Sequence, residues 1–199
     1  MEIISDEKLN QLLVNWGLSS EKITSIAYIG ICHSSKWDGG FDIEKCNNEE
    51  KAHFYSDLNE MVIFLKNFIF EMKVTKAIIG RFHRSKWFEQ WSDLDKIDIY
   101  KKLKGTLSQY KLKSNSKNGL EIDVIKQQDL IDLVVESGFR YISCISIYFP
   151  EVGILVEPTH NFELLFFTKE IDSCKKLLYE ELVKYKNLSL YEEVMWGSN

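Results

Sequence analysis

A nine-residue pattern occurs twice in this chain. The run from Ile29 to Trp37 reads IGICHSSKW, and fifty positions later the run from Ile79 to Trp87 reads IGRFHRSKW. The shared form is I-G-x-x-H-x-S-K-W, with Ala27 and Ala77 matched ahead of it. These residue types can do chemistry. Histidine gives and takes protons near neutral pH, while a serine hydroxyl and a lysine ammonium can hold phosphate oxygens. Each copy closes a segment that reads as a β-strand. Strand alternation puts Ala27, Ile29, His33, Ser35 and Trp37 on one face, and Ala77, Ile79, His83, Ser85 and Trp87 on one face of the other. If the two strands are parallel neighbours, both His/Ser pairs converge near their C-terminal ends. Open α/β sheets bind ligands there.

The two H-x-S copies resemble the paired H-x-[ST] motifs of the 2H phosphoesterases. The resemblance covers about six positions, and Lys-Trp follows each copy where that family has apolar strand residues. It implies an enzyme in which His33 and His83 act as base and acid, with Ser35 and Ser85 on the phosphate. The competing reading is structural, and it is the one favoured here. In it a duplicated-looking strand end reuses His and Trp as a packed, half-buried rim. Nothing else in the sequence supplies a catalytic signature. It has no Gly-rich phosphate loop, no GxSxG elbow, no HExxH and no paired Cys/His set. No cofactor or metal is therefore expected. His53 and His160 have no partner in sequence and read as structural or solvent-facing.

The surrounding elements must position these residues. Ser5 with Asp6 and Glu7 opens a helix carrying Leu9, Leu12, Leu13 and Trp16, which Gly17 stops. Ile23 to His33 reads as a strand. Trp37 to Phe41 reads as a loop. Asn48 with Glu49 and Glu50 opens the longest helix, lined by Phe54, Leu58, Met61, Leu65, Phe68, Ile69 and Met72. Val74 to His83 is the next strand. Strand, long helix, strand in succession predicts a right-handed parallel crossover. A helix over Leu94 to Tyr110 looks interrupted near Gly105. Leu120 to Val124 is a short strand and Gln127 to Ser137 a helix. From Phe139 to Thr168, β-branched and aromatic runs broken by Pro150, Gly153, Pro158 and Asn161 predict an antiparallel meander. Its first run is apolar on both faces, so Ile145 and Ile147 should be buried. A last helix runs from Ile171 to Tyr185, and the apolar tail should dock through Trp196. The expectation is a single α+β domain over residues 1–199. It has a mixed sheet, with a parallel crossover in the first half, an antiparallel meander in the second and helices mainly on one side.

Composition narrows the function classes. Apolar residues make up 45% of the chain, ample for a core. No apolar run approaches the roughly 20 residues of a membrane helix. The acidic Met1 to Asp6 segment lacks the basic-then-apolar order of a signal peptide, so a cytoplasmic protein is expected. Net charge is −5 but uneven. Lys76 to Lys117 holds eleven basic residues against four acids, a net +7, and the remainder holds fourteen against twenty-six, a net −12. Such asymmetry suits a charged partner. Trp37, Trp87, Phe88 and Trp91 lie beside Arg81, Arg84 and Lys86, an interleaving that serves nucleic-acid stacking or protein hot spots.

The function expected from these features is a non-catalytic protein-binding module of the bacterial immunity or antitoxin type. It would occlude a protein partner, such as a basic toxin, with no membrane involved. Trp37, Trp87, Trp91, Glu180, Glu181, Glu192 and Glu193 are the candidate contacts. The phosphoesterase is the alternative, and a nucleic-acid binder comes third. Cys32, Cys46, Cys144 and Cys174 form no CxxC pair, so reduced thiols are expected. Adding a reductant should leave the Tm unchanged, and a clear drop would mean that two of them are bridged.

Overall fold

The computed structural model describes residues 1–18, 27–35, 37, 42–82, 86–89, 93–113 and 115–193, without the side chain of residue 193. Eight strands and five α-helices alternate irregularly along it. The strands are β1 (Glu2–Ile4), β2 (Tyr28–His33), β3 (Lys76–Gly80), β4 (Gly119–Asp123), β5 (Ser146–Phe149), β6 (Ile154–Thr159), β7 (Glu163–Thr168) and β8 (Leu188–Glu193). The helices are α1 (Asp6–Asn15), α2 (Asn48–Glu71), α3 (Asp98–Gln109), α4 (Gln128–Phe139) and α5 (Ile171–Leu182).

All eight strands join one sheet in the order β1-β4-β3-β5-β6-β7-β2-β8, and every pairing is antiparallel. This overturns the mixed sheet and its parallel crossover. β2 and β3 do point the same way, but β7, β6 and β5 lie between them. Four inter-strand steps place them about 19 Å apart. The physical reason is the reach of α2. Its 24 residues extend about 36 Å, so it carries the chain across the sheet and not back to the adjoining edge. β2 then has both edges taken, by β7 and β8.

β5, β6 and β7 form a three-stranded antiparallel meander. It begins later than the residues from Phe139 suggest. α4 continues through Phe139, and Tyr141 takes a left-handed backbone (φ 55°) that turns the chain. Ile145 and Ile147 are both buried. α3 runs unbroken through Gly105, where an added Cβ would meet open space, so this glycine marks no break. β1 has no counterpart in the sequence reading, and the tail forms the edge strand β8. β3 stops at Gly80, short of His83. Residues 83–85, Trp91 and Trp196 lie outside the described residues.

Strand alternation sorts the core into two layers. On one face Ile29, Ile31, Ala77, Ile79, Ile147, Phe149, Val156, Leu164 and Phe166 pack beneath α2, α3, α4 and α5. On the other, Tyr28, Ile78, Tyr148, Leu155 and Phe167 pack with Ile4 and with Leu9 and Leu13 of α1. α2 opens with a full capping box, in which the Asn47 side chain takes the Glu50 N–H and the Glu50 carboxylate takes the Asn47 N–H. The cap is thus one residue earlier than Asn48. Lys66 bonds Asp132 of α4 at 2.7 Å, and Asn67 donates to the Tyr185 hydroxyl at 2.8 Å beyond α5.

α4 approaches the sheet closely at Gly138. A Cβ there would stand 2.7 Å from the Pro158 Cβ and 2.9 Å from its carbonyl oxygen. Gly138→Ala must therefore push α4 off β6. A loss of about 1–3 kcal/mol is expected, measured by denaturant unfolding. Unchanged stability would show that the helix is not held at this contact.

Candidate functional site

His33 ends β2 on the helix-covered face, and its side chain is almost fully buried. Its Nδ1 lies 2.5 Å from Ser35 Oγ and also accepts the Ser35 N–H at 3.2 Å. Its Nε2 lies 3.1 Å from Glu60 Oε2 and 3.7 Å from Asp57 Oδ1. Asp57 itself is buried, and two more groups reach it. Trp37 donates its indole N–H to Asp57 Oδ2 at 2.9 Å, and His53 Nε2 sits 3.4 Å from the same oxygen. Asn187 donates to Glu60 Oε2 at 3.0 Å, and its carbonyl accepts the Ser34 N–H. The loop after β2, the N-terminal half of α2 and the start of β8 thus meet at one polar cluster.

The cluster follows from local sequence. His53, Asp57 and Glu60 are spaced four and three apart, which puts them on one helix face. Phe54, Leu58 and Met61 occupy neighbouring positions and seat that helix on the core. A buried carboxylate without partners would be costly, so Asp57 demands its donors. The spacing was readable, but nothing in the chain ties it to His33, 24 to 27 positions away. His53 therefore has a partner that the sequence did not disclose. His160 also has a neighbour, the Tyr141 ring at 4.7 Å between centroids.

The two copies of the repeat have unlike surroundings. Trp37 is half-buried between the His53 and Phe54 rings. Trp87 is fully buried and donates to the Ser116 carbonyl at 2.7 Å. Trp87 is therefore core, not the partner contact expected of it. The wide spacing of β2 and β3 removes the adjacency on which convergence of His33 and Ser35 with His83 and Ser85 rested. His83 and Ser85 are outside the described residues.

The acidic candidates also separate. Glu180 is exposed on α5. Glu181, expected on the surface, is buried and bonded to Lys184 and Tyr185. Glu192 pairs with Lys175. Of Glu193, only the backbone pairing with Tyr28 is described. The acids missed by the sequence reading are those around α2. Residues 42–60 hold Asp42, Glu44, Glu49, Glu50, Asp57 and Glu60 against Lys45 and Lys51, a net −4. The basic segment lies across the sheet, on α3 and the loops beside β3 and β4. Several of its lysines are met locally, as in Lys86–Glu89, Lys96–Asp93, Lys101–Asp98 and Lys104–Asp95. Its described aromatics Trp87 and Phe88 are buried, so they offer no stacking platform.

A polar cavity of about 340 Å³ lies on the other face of the sheet, walled by Tyr28, Tyr141, Cys144, Glu157, His160 and Glu163. Cys144 donates to Glu89 Oε1 at 2.7 Å there. Burial, together with Glu163, raises the Tyr191 hydroxyl well above the ordinary tyrosine range. No cluster of three or more His, Cys, Asp or Glu residues suited to a metal occurs among the described residues. No helix among them is long and apolar enough to cross a membrane. No family model matches this chain, no curated protein matches it, and no solved structure matches it.

Asp57→Ala should strand the Trp37 indole N–H and one side of His33. The expected loss is about 1–3 kcal/mol, while Asp57→Asn, which keeps an acceptor for Trp37, should lose less. Equal and negligible losses in thermal unfolding would mean that the cluster does not hold the loop to α2.

Proposed function

We propose that this protein is a protein-binding module of the bacterial immunity or antitoxin type, which neutralises a basic toxin by occluding it. The observation that carries this reading is the separation of charge along the strand order of the sheet. The acids of residues 42–60 open α2, whose Asp57 and Glu60 meet His33 and Asn187 at the β2–β8 end of the sheet, and Glu180 is exposed near the C-terminal end of α5. The lysine-rich segment runs through β3, α3 and the residues leading to β4, toward the opposite end of the strand order on the same helix-covered layer. Such a field steers a complementary partner and suppresses like-charged ones. The acidic side also offers contact area. Tyr55 is 44% exposed, and the exposed His53 ring lies against the half-buried Trp37 on another face of the same helix. Aromatic groups inside a charged rim are what anchor protein interfaces. Glu49 and Glu50 are exposed, and Glu49 makes no ion pair among the described residues. The basic side is the weaker candidate because its described aromatics, Trp87 and Phe88, are buried.

The test is co-expression with toxin-like products of neighbouring genes, followed by charge reversal. Glu49→Lys with Glu180→Lys should weaken association by tenfold or more at low salt, and the wild-type complex should weaken as salt rises. Glu50 is best left alone, because it caps α2. Binding that ignores both the reversal and the salt would overturn the acidic-face reading. Failure to bind any neighbouring product would overturn the immunity assignment.

A further inference from the structure

We propose that Ser35 is an activated nucleophile that accepts an acyl group from a small activated ester, with His33 as its base and Glu60 as the positioning carboxylate. This does not depend on the partner-binding reading. The geometry that points to it is a three-residue chain, with Ser35 Oγ 2.5 Å from His33 Nδ1 and His33 Nε2 3.1 Å from Glu60 Oε2. The Ser35 backbone N–H fixes the proton inventory. It donates to His33 Nδ1 at 3.2 Å, so that nitrogen is the acceptor and carries no hydrogen. The ring proton is then on Nε2, aimed at Glu60, with Asp57 behind it at 3.7 Å. An unprotonated ring nitrogen facing the hydroxyl and a carboxylate on the far nitrogen are what an activated hydroxyl needs. Glu60 is held in turn by Asn187. His33 is shielded from water, while Ser35 is half-buried beside the exposed Ser34.

The step balances without any further reagent. Ser35 Oγ bonds to the acyl carbon as its proton passes to His33 Nδ1. Glu60 and Asp57 stabilise the imidazolium through Nε2. The bond from the acyl carbon to the leaving alcohol breaks, and the alcohol leaves with the proton from Nδ1. Water, deprotonated by the same nitrogen, then releases the acid and restores Ser35. The net change is ester plus water to acid plus alcohol. Ser35 is half-buried just past the end of β2, next to the exposed Ser34, so an ester can approach its hydroxyl from solvent.

The experiment is to incubate the full chain with a fluorophosphonate probe and, separately, p-nitrophenyl acetate. Intact-mass and peptide mass spectrometry locate any adduct, and circular dichroism confirms that each variant is folded. One adduct on Ser35 is expected, absent in Ser35→Ala. His33→Gln should slow labelling on the order of 100-fold or more. Glu60→Gln should slow it less and shift the pH profile of the labelling rate, which a merely structural role would not do. Ser35→Ala should still bind any protein partner, so failure here leaves the binding reading standing. No adduct on Ser35 in folded protein, an adduct only elsewhere, or undiminished labelling in His33→Gln would each overturn the proposal.

Discussion

The apolar face of α2 buries Phe54, Leu58, Met61, Phe64, Leu65, Phe68 and Ile69 against the sheet and its flanking helices. At about 1.5–3 kcal/mol per side chain, this is on the order of 10–20 kcal/mol, an upper figure because the unfolded chain is already partly compact. Among the described residues, no other single element contributes as many core residues. Because α2 crosses from the β2 side to the β3 side, it also decides where the chain re-enters the sheet. The antiparallel order follows from that. β3 arrives beyond the meander, and β5, β6 and β7 fill the space between.

The same helix fixes the polar cluster. Once Phe54 and Leu58 are seated, Asp57 points along the margin of the core, where water cannot fully solvate it. Its oxygens must then be met by the protein, and the end of β2 supplies His33 while the residues after it supply the Trp37 indole. The demand runs both ways, since His33 would otherwise bury its own Nε2 hydrogen unpaired. Loop and helix are therefore registered by mutual need, and the Ser35 hydroxyl is carried into place by that registration. The acidity of this end comes with it. The carboxylates that open α2 suit the helix N-terminus, and Glu60 remains close enough to His33 to share its charge.

Elements with a strong local signal were legible in the sequence. The Ser5 cap, the periodicity of α2 and the Pro and Gly breaks of the meander are decided by neighbours a few residues away. What was not legible is set by distant partners. A strand–helix–strand order specifies a crossover only if the strands are adjacent, and adjacency depends on which edges β7 and β8 occupy. The strand-like run after Phe139 is apolar enough to be a strand, but its first residues complete α4, and the left-handed turn at Tyr141 has no composition signal. The site was half legible. His33 and Ser35 were singled out, whereas Asp57, Glu60 and Asn187 were not, because no short-range pattern links them to the histidine.

The repeat shows why shared sequence need not mean shared chemistry. Ile29 and Ile79 do the same thing, each entering the helix-covered core from its strand. Eight positions later the environments diverge. Trp87 is fully buried, and its indole donates to the Ser116 carbonyl. Trp37 meets the start of α2, where a carboxylate is waiting. A carbonyl satisfies an indole and does nothing further. A carboxylate can also hold a histidine, and that histidine can hold a serine. The side chains of the motif were necessary for the polar cluster, but the difference between a packed tryptophan and a potential reaction centre lies in what α2 brings to one copy.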